Sequence, residues 1–426
     1  MSPKQSAQFL RASILAAIFI CLSVNAHSQV ETVLHSFANG PGGGYPIGSL
    51  TFDPQGNLYG VTQDGGNLHG FCDQGGCGIV FELSPSSNGV WKQTVLHAFT
   101  YVDGAFPQAG LVRDAAGNLY GTTVSGGQLC RCGAVYELSP TSTGGWKETV
   151  LYSFYNGADG FVPYSQLVLD AAGNLYGTTA TGGSTTTACS TIGCGVVFML
   201  SPSSNGGWKE KVLYTFDGTD GAYLYSGVIF DEAGNLYGET YTGLGAGSRG
   251  TVFKLSPTSS GPWTLTTLHG FSGNDASYPG GGLVFDKAGN LYGTTQGVSS
   301  QGACPPSCGS VFELSPNSDG TWTETILHAF TGSVDGAYPA GRLLLDNSGN
   351  LYGTAAIGGA YNSGSIFKLT PSSGGTWNFS VTYSFPGGLY GGFGPQWGVI
   401  EDGAGNLYGN ALGGQGKYGI VYEITP

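Results

Sequence analysis

Residues 114–123 read Asp-Ala-Ala-Gly-Asn-Leu-Tyr-Gly-Thr-Thr, a turn sequence that runs directly into a β-strand sequence. Its core, G-N-L-Y-G, occurs seven times in the 426 residues, with Asn at positions 57, 118, 174, 235, 290, 350 and 406. A second motif, G-x-V/I-F/Y, follows each copy, with its Gly at positions 78, 133, 195, 250, 309, 364 and 419. Over the first six copies the two motifs are 14 to 21 residues apart, while the rest of each unit keeps 40–42 residues. The chain is therefore a tandem repeat of 55–61 residues with one variable loop.

Each unit has the sequence pattern of four short β-strands. In the second unit we expect them at residues 111–114, 118–123, 135–139 and 146–154, where Val, Thr, Tyr, Leu and Trp are frequent. Apolar residues occur on both alternating faces, so each sheet must be covered on both sides. Seven four-stranded antiparallel sheets packed face to face predict an all-β fold, a seven-bladed β-propeller. A β-solenoid is the alternative, but its repeats are about 20–29 residues long.

The two ends of the repeat region complement each other. Residues 30–37 match a fourth strand that has no first three, and residues 419–424 match a third strand that has no fourth. We therefore expect the N-terminal strand to be the outer strand of the C-terminal blade and to close the ring.

Residues 1–26 have the pattern of a secretory signal peptide. Lys4 and Arg11 precede the apolar run 12–24, which is short for a membrane span, and small residues allow cleavage after Ala26. We expect one domain, residues 27–426, that is secreted or periplasmic, monomeric and without a transmembrane segment. The net charge of −13 argues against nucleic acid and anionic membranes as partners.

Eight cysteines remain after the signal peptide, and they form four local pairs between the second and third strands of their units. An even number of closely spaced cysteines in an exported chain favours disulfides. The pairs are Cys72/Cys77, Cys130/Cys132, Cys189/Cys194 and Cys304/Cys308. Zinc is the alternative, although each loop offers two sulfur ligands where a structural site uses four ligands. A disulfide between Cys130 and Cys132 would close a strained small ring.

No catalytic set is visible in the sequence. The histidines 35, 97, 269 and 328 share one repeat position with tyrosines 152, 214 and 383, which indicates a structural role. The aspartates of the D-x-x-G-N turns are expected to cap those turns. We predict no catalytic residue, no metal site and no cofactor.

A second acidic set lies between the fourth strand of one unit and the first strand of the next, in D-G-A-F/Y-P or a variant. This connection and the variable loop are expected on the same face of the propeller, and rigidly held loops often carry function. The candidate ligand-binding residues are Asp103, Phe106, Asp159, Asp220, Tyr223, Asp275, Tyr278, Asp335 and Tyr338. The structural alternative is an Asp that caps the loop and an aromatic residue that packs beneath it.

The combination of D-x-x-G-N-L-Y-G-T-T, G-x-V-F-E-L-S-P and W-x-x-T-V-L-x-x-F resembles the Gloeobacter–Verrucomicrobia tandem repeat over residues 30–426. The shorter D-x-x-G-N-L-Y piece is also similar to NHL and two-component-regulator propeller repeats. The resemblance implies an exported bacterial protein of the kind that often carries a C-terminal surface anchor. No such anchor follows the last repeat here, so we expect free secretion. The resemblance implies no catalytic residues.

We expect a non-catalytic binding module whose ligand is a polysaccharide or another exported protein. The alternatives are an extracellular polysaccharide lyase or hydrolase and a structural protein of the envelope or matrix. An enzyme would place unique polar residues near the central channel. The departures from the repeat at the first strand are Arg113, Gln166, Arg342, Trp397 and Glu401, and Arg342 could pair with Glu401.

Overall fold

The computed structural model describes residues 29–425 apart from 69–70, 73–74, 129–130, 156, 187–188, 244–248, 260, 274–275, 298–307 and 389–390. The expected signal peptide, Cys130, Asp275 and Cys304 lie outside the described residues. Within the described part, no helix combines the length and the apolar character that crossing a bilayer requires.

Seven antiparallel sheets form the blades of a β-propeller, as the repeat predicts. In blades 1 to 3 the strands are β2 (Gly44–Phe52), β3 (Leu58–Asp64), β4 (Ile79–Pro85) and β5 (Trp91–Ala98); β6 (Val112–Arg113), β7 (Leu119–Thr123), β8 (Ala134–Pro140) and β9 (Trp146–Ser153); and β10 (Val168–Leu169), β11 (Leu175–Thr178), β12 (Val196–Pro202) and β13 (Trp208–Thr215). In blades 4 and 5 they are β14 (Ile229–Phe230), β15 (Leu236–Thr240), β16 (Thr251–Ser256) and β17 (Thr264–Gly270); and β18 (Val284–Phe285), β19 (Leu291–Thr295), β20 (Ser310–Pro316) and β21 (Trp322–Ala329).

In blades 6 and 7 the first strand is interrupted and appears as two short segments. Blade 6 consists of β22 (Ala337–Pro339), β23 (Leu344–Leu345), β24 (Leu351–Ile357), β25 (Ser365–Pro371) and β26 (Trp377–Ser384). Blade 7 consists of β27 (Gly392–Phe393), β28 (Ile400–Glu401), β29 (Leu407–Gly413), β30 (Ile420–Thr425) and, as its outer strand, β1 (Val30–Ser36). In the described connections, Gly40–Gly42 and Ser190–Ile192 form short 3₁₀ segments.

The ring closes between the two ends of the chain. Strand β1 pairs antiparallel with β30, with Val30 opposite Thr425 and Ser36 opposite Ile420. In addition, the Tyr383 hydroxyl of blade 6 donates a hydrogen bond of 2.8 Å to the Glu31 carboxylate on β1. The predicted closure by the N-terminal strand is confirmed.

The G-N-L-Y-G motif is explained by the contacts of its members. In blade 1 the Asp53 carboxylate accepts hydrogen bonds from the Asn57 backbone N–H (2.9 Å) and side chain (2.8 Å) and from the Tyr59 hydroxyl (3.1 Å). A Cβ at Gly60 would lie 2.6 Å from the Phe81 ring, so this position needs glycine. The Tyr59 ring packs edge-on against Trp146 of blade 2 at 6.1 Å. The motif therefore holds a turn, a cross-strand contact and a contact between blades.

A second set of contacts, which we call the inter-blade latch, joins the entry of each blade to the blade before it. In the connection from blade 1 to blade 2, Phe106 has φ 55° and its N–H donates to the Cys77 carbonyl at 2.8 Å. Pro107 then packs on Gly78, where a Cβ would lie 2.7 Å from the proline Cδ. Each blade entry has such a residue with φ between 54° and 61°: Tyr45, Phe106, Val162, Tyr223, Tyr278, Tyr338 and Gly394.

The hydrophobic core is divided among the interfaces between neighbouring blades. One cluster, for example, combines Val80 and Phe99 of blade 1 with Leu119 and Tyr136 of blade 2. The cluster at the closing interface contains Leu34 and Phe37, 8% and 1% exposed. Because each blade is covered by its two neighbours, its stability depends on a complete ring.

Deleting residues 30–37 should lower the melting temperature and produce oligomers. Burial of each large apolar side chain is worth about 1.5–3 kcal/mol, and the deletion also exposes the unpaired edge of β30. Thermal melts and gel filtration of the purified protein measure both effects.

The milder variant Phe37→Ala should lower stability by about 3–5 kcal/mol without opening the strand pair. A deletion variant that stays monomeric with an unchanged melting temperature would contradict closure by β1.

Candidate functional site

The variable loops and the blade-entry connections share one face of the propeller, which we call the loop face. Antiparallel bridges join Ala105 to Ser125, Phe161 to Thr181 and Ala222 to Thr242, each linking the entry of a blade to the loop after its second strand. The structure therefore brings together the two loop classes that the sequence analysis expected on one side.

The aspartates of the D-G-A-F/Y-P loops cap those loops from the outer edge of the blades. Asp103 accepts the Thr100 backbone N–H at 2.8 Å and lies 3.1 Å from His97 Nε2 on β5. Asp335 likewise accepts the Thr331 N–H at 2.9 Å and lies 3.2 Å from His328 Nε2. The carboxylates of Asp159 and Asp220 accept hydrogen bonds from loop N–H groups and from the hydroxyls of Tyr152 and Tyr214. These four aspartates are held near the fourth strands and do not line the central cavity.

The aromatic residues of these loops follow the aspartates by three residues in the chain and are half-buried. Phe106, Tyr223 and Tyr338 pack against clusters that contain the cysteines of the preceding blade. Each also carries the left-handed backbone of the inter-blade latch. Their described contacts are therefore structural, and a role in ligand binding stays a prediction.

Two predicted disulfides, Cys72–Cys77 and Cys189–Cys194, are confirmed, with Cα atoms 5.3 and 4.9 Å apart. Cys132 and Cys308 are disulfide-bonded as well, while Cys130 and Cys304 lie outside the described residues. The carbonyls of Cys77, Cys132, Cys194 and Cys308 are the acceptors of the latch hydrogen bonds of the following blades. The disulfides thus stabilise the loop segment on which the next blade docks.

One group of side chains in the described part of the chain has the spacing of metal ligands. His97, Asp103 and Glu148, at the interface of blades 1 and 2, place three donor atoms within 4.8 Å of one another. Burial is the main factor that raises the pKa of Glu148 to about 7; His97 lowers it and Asp103 raises it further. The His–Asp pair recurs in blade 5, where Phe379 stacks on His328 at 3.6 Å in place of the glutamate. The group could hold a divalent cation, but the His–Asp pair forms without the third ligand.

A central cavity of about 610 Å³ lies on the axis and is lined by residues that lie in, or shortly before, the first strand of each of the seven blades. Four of the five residues singled out as departures from the repeat line it: Arg113, Gln166, Arg342 and Trp397. Glu401 is not part of the described lining. Arg342 donates from Nε to the Leu283 carbonyl at 3.1 Å instead, and no ion pair joins it to Glu401 in the described structure.

Four tyrosines extend from this cavity onto the loop face. Tyr164 and Tyr225, which line the cavity, have ring centroids 5.6 Å apart, Tyr225 is 5.2 Å from Tyr241, and Tyr241 stacks on Tyr278 at 4.9 Å. The Arg249 guanidinium covers Tyr278 and donates to its hydroxyl at 3.0 Å. Burial raises the pKa of Tyr164, Tyr225 and Tyr241, so their hydroxyls stay protonated at neutral pH. We call this set the tyrosine row.

Blade 4 also carries a buried acid beside the cavity. Glu239 is 1% exposed and accepts hydrogen bonds from the Gly282 N–H (2.9 Å) and the Ser226 hydroxyl (3.2 Å), both from residues that line the cavity. Burial raises its pKa to about 7, although the two hydrogen bonds lower it. In blades 2, 3 and 6 the same position is Thr, which donates to a carbonyl of the next blade.

Sequence reasoning missed Tyr164, Tyr225, Tyr241 and Glu239. Their signal is a departure from the repeat at three positions of the unit: that of Tyr164 and Tyr225, that of Glu239 and that of Tyr241. The residue after the latch proline, or after Leu224 in its place, is Ile47, Gln108, Tyr164, Tyr225, Gly280, Ala340 and Gln396 in the successive blades. Only contacts across blades show that these scattered tyrosines are adjacent.

Together these features define a closed seven-bladed propeller with disulfide-bonded loops on one face and a polar, aromatic cavity on its axis. The chain belongs to the Gloeobacter/Verrucomicrobia repeat family, whose model matches residues 20–192 and 184–422. The resemblance seen in the repeat motifs is confirmed. A search among curated proteins found no match.

Replacing Glu239 by Gln should stabilise the protein at pH 8 more than at pH 4.5. The raised pKa means that the folded protein retains this proton between about pH 4.5 and 7 while the unfolded chain loses it, so stability falls as pH rises through that range. The gain at pH 8 should be about 1–3 kcal/mol. Chemical denaturation at both pH values measures it, with the exposed Glu232→Gln as control. Equal effects of Glu239→Gln at both pH values would contradict the burial argument.

Proposed function

We propose that this protein is an exported binding module that holds a carbohydrate chain on its loop face, at the mouth of the central cavity. The tyrosine row is the observation that carries the proposal. It offers aromatic surface next to hydroxyl donors, along a path that leads from the cavity to the loop of Tyr278. Pockets that combine aromatic walls with a few fixed polar groups are typical ligand sites.

Binding is favoured over hydrolysis by the chemistry of the cavity. Glycosidases use two carboxyl groups about 5–10 Å apart on either side of the scissile bond. Among the described residues that line the cavity, none is Asp, Glu or His. Glu239 is fully enclosed behind Ser226 and Gly282, so it supports the wall rather than meeting a ligand.

Export is supported by the pattern of residues 1–26 and by the disulfides, which form and persist in oxidising compartments. A rigid ring with disulfide-tied loops suits a binding surface outside the cytoplasm, because little conformational entropy is lost on binding. The D-G-A-F/Y-P loops are proposed as the outer rim of the same face.

The variants Tyr225→Ala and Tyr241→Ala test the tyrosine row. Each should weaken binding of a bound oligosaccharide by about 3- to 10-fold, since one aromatic contact is worth about 1 kcal/mol. Calorimetric titration of the purified protein with neutral hexaoses of glucose and mannose and with a galacturonate hexamer gives the dissociation constants. Tyr361→Ala, which removes an exposed tyrosine from the loop of blade 6, is the matched control. No binding of any of these sugars would overturn the carbohydrate proposal.

A second variant set tests the outer rim. Asp103→Asn with Asp335→Asn and Tyr338→Ala should weaken the same interaction, because these residues shape the loops around the mouth. Ser86→Ala and Ser203→Ala in turns of the opposite face are the control and should leave affinity unchanged. If the control set abolishes binding and the rim set does not, the ligand binds on the other face.

A further inference from the structure

The charge of the central cavity is opposite to that of the whole protein. The chain has 27 acidic and 14 basic residues, yet the charged residues in the described lining of the cavity are two arginines, Arg113 and Arg342. At physiological salt, exposed acids are screened beyond about 8 Å, whereas charges in an enclosed site are screened much less. A ligand in the cavity therefore meets a positive local field.

Arg342 is an exposed residue of the cavity wall, so its side chain is in contact with water. Its one described hydrogen bond uses Nε, so both Nη groups have no partner in the described protein. Burial lowers the pKa of this guanidinium, but an arginine stays charged in proteins. No acidic residue stands in the described lining of the cavity, so this guanidinium has no counter-ion there and can pair with a bound anion.

The residues around Arg342 leave room for such an anion. The equivalent residues of the two flanking blades are Gly282 and Gly398, and both line the cavity. Blade 3 has Gln166 at this position, which donates to the Leu111 carbonyl at 3.0 Å just as Arg342 donates to Leu283. The backbone contact therefore does not need an arginine. What Arg342 adds is a positive charge with two free donor groups.

We propose that the cavity selects an acidic carbohydrate and that Arg342 receives its carboxylate or sulfate group. This inference rests on the proposed carbohydrate-binding function and adds the charge of the ligand. Both anions match the planar fork of donors that a guanidinium offers. Tyr164, Tyr225 and Trp397, which also line the cavity, would contact the sugar rings beside the charged group.

The test compares matched probes on the folded protein. A galacturonate hexamer is titrated alongside its methyl ester, which keeps the sugar chain and removes the charge, and a sulfated carrageenan oligosaccharide tests the second anion. The wild-type protein should bind at least one of the two acidic probes roughly 10-fold or more tightly than the ester. That preference should fall as salt is raised from 50 to 300 mM.

The variant Arg342→Gln should abolish the preference without unfolding the protein, because Gln166 shows that glutamine fits this position. Arg342→Lys should retain part of the preference. Gln166→Met is the matched control, since it removes the same backbone contact but no charge. This inference would be overturned if the wild type bound neither acidic probe more tightly than the ester, or if Arg342→Gln left the preference unchanged. If neutral sugars still bind through the tyrosine row in that case, the proposed function stands; if no sugar binds, both fail.

Discussion

The inter-blade latch is the interaction on which the propeller depends. At each blade entry one residue takes a left-handed backbone with φ of 54–61° and donates its N–H to a carbonyl of the preceding blade over 2.5–3.1 Å. Five of these seven residues are Tyr or Phe, for which positive φ is unfavourable. The adjacent Pro or Leu packs on the Gly of G-x-V/I-F/Y, where no Cβ would fit. The contact is repeated at all seven entries, and six of the seven residues are not glycine and therefore carry this strain. The angle between blades is thus set by short-range contacts, and the ring closes at a definite number.

The latch also links the architecture to the candidate site. In four blades the carbonyl that accepts the latch hydrogen bond belongs to a disulfide-bonded cysteine. The disulfide of the variable loop therefore fixes the segment on which the next blade docks, and it also stabilises the loop face. Blade 4 has Arg249 at that position, and its guanidinium lies over Tyr278 of the following entry. Blades 4, 6 and 7 have no cysteine at that position, and among these three blade 4 contributes the contact with the tyrosine row.

Much of the scaffold was predictable because its signals are local and occur seven times. The turn contact of Asp with Asn joins residues four positions apart, and the Gly that faces Phe81 meets it on the neighbouring strand. The blade completed by β1 and β30 follows from the incomplete repeats at the two ends. The candidate site was predictable only in part. Arg342, Gln166 and Trp397 stand out as departures from the repeat. The aspartates of the entry loops looked similar in sequence, yet in the structure they cap loops near the outer strands.

The amino-acid sequence by itself determined the number of blades, the strand order, the closing strand and two of the cysteine pairs, because each depends on a repeating pattern or a short chain separation. Tertiary structure alone decided which irregular residues meet. Tyr164, Tyr225 and Tyr278 come from the entry loops of three successive blades, and Tyr241 comes from the variable loop of blade 4. They touch because the ring turns these loops toward one axis. The same geometry leaves Arg342 between two glycines with no acidic partner among the described residues. Such contacts depend on the radius and twist of the closed ring, which no single repeat encodes.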